Sequence, residues 1–166
     1  MRITREKVFG LNMLFQRQKF VEASVPFHYA VAKNKKILEP EIKALEEARE
    51  PSEGYLEYEK KRIALCQIHT EKDENGNPKL TKDPNNGQEV FDLTDEAKEK
   101  LDEEMKEVRE EFKEDIEEHE KKQKEFGEFI KEEVELNLIK LKLKQMPEKM
   151  SGNDVDLLEE LELIEE

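Results

Sequence analysis

The stretch Thr94–Gln145, TDEAKEKLDEEMKEVREEFKEDIEEHEKKQKEFGEFIKEEVELNLIKLKLKQ, decides the fold. Its first part repeats apolar or half-apolar residues every three or four positions: Ala97, Leu101, Met105, Val108, Phe112, Ile116, His119, Gln123, Phe126 and Ile130. That period is the signature of one helix face, so 94–130 is expected to be a long helix. Thr94 is its N-cap, and Asp95 and Glu96 sit where the positive end of the helix dipole favours acids. Gly127 is a weak point in it. From Val134 the period changes to two. Val134, Leu136 and Leu138 alternate with Glu135 and Asn137, and Ile139, Leu141 and Leu143 with three lysines. Period two argues for a strand over 134–144, with a phase slip at Leu138-Ile139 that implies a bulge or kink. The alternative is a helix continuing to Gln145, because Ile130, Val134, Leu138 and Leu141 also fit a helical face.

The same region concentrates the charge. Residues 94–166 hold 27 acids against 13 bases, which equals the net −14 of the whole chain. Residues 1–50 hold 10 bases against 7 acids. Only 35% of residues are hydrophobic and 43% are charged. Long helices that bury one narrow stripe fit such a composition. A pI near 4.9 argues against general nucleic-acid binding. One cysteine, Cys66, excludes an intrachain disulfide, and no run approaches the ~18 apolar residues of a membrane span. These features point to a soluble, cytoplasmic chain.

Working outward, Val8, Leu11, Leu14 and Phe15 mark an N-terminal helix within 1–25, covering 4–23. Pro26 opens a second helix with Phe27, Val31, Leu38 and Leu45 inward, and Pro40 predicts a kink or a new start. After Pro51, Ser52 caps a third helix with Tyr55, Leu56, Ile63 and Cys66 inward. Together 27–70 form a first arm. Asp73–Pro78 is turn chemistry, and 79–93 is a β-hairpin around Asp83–Gly87, which the 134–144 strand is expected to join. The tail 134–166 ends in a short acidic helix at 154–164. The whole chain, 1–166, is thus expected to be a single elongated domain. It is mainly α with a small β element, an antiparallel long-helix hairpin in which 94–130 is the second arm. Such arms leave room for a homodimer or higher oligomer.

No arrangement for catalysis or a cofactor emerges. Cys66 and His69 share a helix face, but zinc needs three or four ligands and His28 and His119 are distant in sequence. A di-metal carboxylate site needs Glu-x-x-His pairs, which are absent. With Asp73 at position one, Gly76 falls at position four of a calcium loop, not six. Gly-rich phosphate loops and nucleophile elbows are missing. His119 falls in the apolar stripe and reads as a packed histidine.

The segment from Phe27 to Ala48 (FHYAVAKNKKILEPEIKALEEA), with Tyr55–Arg62 (YLEYEKKR) and the late Met146-Pro147-Glu148 before a leucine-rich helix, resembles small tailed-bacteriophage proteins of uncharacterised function. The resemblance implies a phage setting and no chemistry. The expected function is therefore a non-enzymatic protein–protein interaction protein acting in assembly or on a host machine. The basic residues Arg17, Lys19, Lys33, Lys35 and Lys36 and the acids Glu110, Glu111, Glu114 and Glu118 are the candidate partner-binding residues. The alternatives are an acidic inhibitor that mimics nucleic acid and a virion or tail-assembly component.

Overall fold

The computed structural model describes residues 1–17 and 23–166. In chain order the elements are β1 (Arg2–Thr4), α1 (Arg5–Arg17), α2 (Val25–Arg49), α3 (Glu53–His69), β2 (Leu80–Lys82), β3 (Glu89–Phe91), α4 (Asp95–Glu111), α5 (Lys113–Phe129), β4 (Glu133–Glu135), β5 (Leu141–Lys142), a 3-10 turn (Leu143–Gln145), α6 (Gly152–Glu160) and β6 (Ile164–Glu165). The mainly α fold with a small β part is the one the periodicities predict. Two compact units divide it: Met1–Glu50 with Lys122–Glu166, and Pro51–Lys121.

In the first unit, α1 turns the Val8, Leu11, Leu14 and Phe15 stripe fully inward. These side chains meet Phe27, Ala30, Val31 and Leu38 of α2, then Leu141, Leu158, Leu161 and Leu163. Ser24 caps α2, its hydroxyl accepting from Phe27 N at 3.4 Å. Pro40 neither ends nor restarts α2, which runs unbroken to Arg49. Pro40 lies on the exposed side, and buried Leu38 and Leu45 on either side of it hold the helix to the core despite the lost N–H. Residues 18–22 of the expected N-terminal helix lie outside the described residues.

The 134–144 stretch is extended but is not one strand, and it does not pair with the hairpin. β4 pairs antiparallel with β1, Ile3 opposite Val134. β5 pairs parallel with β6, Leu141 opposite Ile164. Between them the phase slips at Leu138-Ile139, and there a side chain replaces a strand. Asn34 of α2, fully buried, donates from Nδ2 to Ile139 O (2.8 Å) and accepts from Ile139 N at Oδ1 (2.7 Å). Its amide gives one residue both bonds of a ladder, as buried backbone requires. The start of α1 is closed the same way. Arg5 N and Glu6 N donate to Glu132 O and Ile130 O, which satisfies amides that a helix leaves orphaned. Arg5 fixes the junction. Its guanidinium bonds Glu41 (3.0 Å) and Glu132 (2.6 Å), and its carbon lies 4.0 Å above the Phe129 ring. The terminal helix is shorter than expected, ending at Glu160, because Glu162 takes a left-handed φ of 50° and turns the chain into β6.

In the second unit α3 packs along α4. Ser52 and Thr94 cap the two helices, accepting from Tyr55 N and Ala97 N at 3.2 Å each. Thr70, buried after α3, donates its hydroxyl to Asp92 O. The hairpin forms where expected, Thr81 opposite Val90, with Gly87 at φ +70°. The seam buries Cys66, Met105 and Phe112. Leu56 and Ile63 do not face it, being 44% and 39% exposed. Tyr55 faces it as expected, stacking on His119 at 3.6 Å, and Tyr58 joins it, tilting against Phe112 at 6.2 Å. The long acidic helix is interrupted at Phe112 (φ −106°, ψ 23°), not at Gly127, which stays helical. Phe112 keeps both flanking helical bonds, Phe112 N to Val108 O and Ile116 N to Phe112 O, so the path continues through it.

Candidate interaction surfaces

The helical spacing of α4 and α5 sets Glu103, Glu107, Glu110, Glu114 and Glu118 on one side, three or four residues apart. All five are exposed. None has an ion-pair partner among the described residues. At 1.5 Å rise per residue the ridge is roughly 22 Å long. Like charges four apart destabilise a helix by about 0.2–0.5 kcal/mol per pair at low salt. The ridge is thus held in place against its own repulsion by the apolar seam on the opposite side. Lys106 and Lys113 lie beside it, so the acidic surface is narrow.

Of the four acids singled out in sequence, Glu110, Glu114 and Glu118 belong to this ridge. Glu111 does not. Its carboxylate pairs with Lys61 Nζ at 2.6 Å, and the same ammonium lies 4.7 Å over the Phe112 ring. The ridge members missed in sequence, Glu103 and Glu107, follow from the same spacing extended one and two turns back.

Lys33, Lys35 and Lys36 stand on the exposed side of α2. The Arg17 side chain and Lys19 lie outside the described residues. Lys33 Nζ sits 5.4 Å over the Tyr29 ring, which is 62% exposed. The exposure of Tyr29 and Val25 was also missed, although both fall opposite the Phe27, Val31 and Leu38 stripe.

Burial pushes the Cys66 thiol up, with Arg62 pulling the other way, so the thiol stays protonated and inert at neutral pH. His69 Nε2 is 3.2 Å from a Glu104 carboxylate oxygen, near enough for an ion pair but not aligned as a hydrogen bond. Among the described residues the buried His119 Nδ1, beneath Tyr55, has no hydrogen-bond partner. Burial, then Glu59, pushes the Tyr55 hydroxyl up. Among the described residues no three of His, Cys, Asp and Glu are placed to hold a metal ion. An apolar groove of about 210 Å³ lies in the first unit, lined by Phe9, Met13, Ile42, Leu45, Phe126 and Ile130. It is below the ~300–1,000 Å³ of small-molecule sites. Among the described residues no helix is long and apolar enough to cross a membrane.

Comparison of the chain with protein-family models, with curated proteins and with solved structures returns no match.

Proposed function

We propose that this is a non-enzymatic interaction protein whose acidic ridge docks a basic surface of a partner protein. The carrying observation is the row of five exposed glutamates on one side of α4 and α5, without ion-pair partners among the described residues. A partner that supplies lysines or arginines relieves the repulsion along that row. Binding of this kind associates fast and weakens as salt rises. The phage setting, with action in assembly, in the particle or on a host machine in the bacterial cytoplasm, is proposed from the resemblance of the 27–62 segment and the C-terminal end alone.

Capture from bacterial lysate on immobilised protein tests the reading. The wild-type chain is expected to retain a discrete basic protein that elutes with salt. The variant E107Q/E110Q/E114Q/E118Q is expected to lose it. Equal capture by both proteins refutes the ridge.

Mimicry of nucleic acid is the second reading, and charge density weighs against it. Five charges over roughly 22 Å is about one per 5 Å, sparser than the one per ~3.4 Å of a DNA strand. A basic protein surface suits that density better than a nucleic-acid channel.

A further inference from the structure

We propose that the first three turns of α2 carry a second docking site, one that takes an acidic amphipathic helix of a partner protein. It rests on the interaction-protein reading but not on the acidic ridge.

A helix advances about 100° per residue, so its faces can be read from position. Phe27, Ala30, Val31, Asn34 and Leu38 form the buried face of α2. Directly opposite run Val25, Tyr29, Ala32 and Lys36, spaced four, three and four. This second stripe is not needed by the core: Val25 is 81% exposed, Tyr29 62%, and Ala32 is exposed as well. Scattered exposed apolar residues mean little, but a stripe at helical spacing is how one helix receives another. The flanks are basic. Lys33 lies on one side and Lys35 on the other, Lys36 closes the stripe, and no acid occurs between Val25 and Lys36. None of the three lysines has a carboxylate partner among the described residues, although the chain carries 43 acids. The Lys33 ammonium 5.4 Å over the Tyr29 ring joins charge and apolar surface into one patch.

An apolar stripe flanked by cations fits a helix whose apolar stripe is flanked by carboxylates. The same face of a second copy is excluded, because lysines would meet lysines. The chain's own acidic helix α4 does not fit either. Its Met105 is already buried, so its exposed side offers charge without an anchor. Nucleic acid is disfavoured by a net charge of −14 and has no use for Val25 and Ala32.

The test is a displayed library of amphipathic helical peptides selected on the full chain, with counter-selection against Y29S/K33E/K36E. Enriched peptides are expected to share an apolar stripe bordered by Asp or Glu. They lose at least about tenfold in affinity for that variant, whose circular dichroism spectrum and melting curve match wild type. K33Q/K36Q, which spares the apolar stripe, loses several-fold and shows a flatter salt dependence. E110Q/E114Q/E118Q binds the peptides unchanged, which separates this site from the acidic ridge. No enrichment, enriched peptides without acids, or affinity for Y29S/K33E/K36E within about twofold of wild type would overturn the proposal. Binding of an oligothymidylate strand, lost in the same variant, would reassign the face to nucleic acid.

Discussion

Replacing Asn34 by leucine deletes both hydrogen bonds that hold Ile139 while keeping the same branched skeleton, with bulkier methyl groups in place of the amide oxygen and nitrogen. Each such bond contributes about 1 kcal/mol net, and a buried group left without a partner costs about 1–3 kcal/mol. Asn34 is fully buried, whereas Ile139 is 39% exposed, so water can reach part of the abandoned backbone. The leucine side chain recovers some of the loss by burying apolar surface. The balance for N34L is a destabilisation of about 2 kcal/mol. Asn34→Asp is more informative. A carboxylate oxygen then faces Ile139 O from a fully buried side chain. The aspartate either carries a buried charge or binds a proton and donates it to that carbonyl. Burial therefore raises its pKa in the folded state above the unfolded one. N34D is closest to wild type at low pH and loses stability as pH rises through the folded pKa. Urea unfolding followed by circular dichroism at several pH values, with hydrogen exchange of the Ile139 amide, measures both effects. An N34L midpoint equal to wild type, with Ile139 exchange unchanged, would refute the reasoning.

Three further outcomes follow from single positions. A Cβ at Gly54 would overlap the Asp115 carboxylate, a side-chain end that can swing aside, so Gly54→Ala is expected to destabilise the second unit by no more than about 1 kcal/mol. Asp115→Ala in the same chain should recover most of that in a thermal melt, and additive losses would contradict the overlap. Glu162→Gly removes a left-handed, non-glycine residue after α6 and should stabilise by about 1 kcal/mol, read as a higher melting temperature. The Asn77 amide, helped by that of Asn75, holds the Asp73 carboxyl below the usual carboxylate range. The order it gives the 73–77 turn is present at neutral pH and lost only as pH falls through that lowered pKa. An Asn77 amide resonance that titrates at the ordinary aspartate midpoint would contradict this.

Local chemistry made most elements legible. Ser52 and Thr94 cap the helices they were expected to cap. The stripe Val8, Leu11, Leu14 and Phe15 faces inward, and the hairpin closes on Gly87. What escaped depends on distant partners. The alternation after Val134 signals extended chain, but its partners are Ile3, more than a hundred residues back, and Ile164 at the other end. Neither has a pattern that names its mate. Tyr55 and Leu56 are adjacent and both read as inward, but only Tyr55 fills the seam, by stacking on His119, and Leu56 is turned out. Asn34 left a trace, as a polar residue at a buried position of the Phe27, Val31 and Leu38 stripe. The acidic ridge was half legible. Glu110, Glu114 and Glu118 follow from spacing, whereas only the position of Lys61 shows that Glu111 is neutralised.

The pairing of β1 with β4 also sets an order of events during synthesis. The first fifty residues emerge with α1 able to pack on α2, but with Ile3 lacking its strand partner Val134 and the core lacking Leu141, Leu158, Leu161 and Leu163. The second unit is continuous in sequence, from Pro51 to Lys121, and meets no such delay. At about 5–20 residues per second, the roughly seventy intervening residues take on the order of 4–14 s to appear. The inserted hairpin of α3 and α4 is complete while the α1–α2 pair before it still waits for the C-terminal half of its core. That interval is when a chaperone, or a partner able to cover α1, has its best access to the nascent chain.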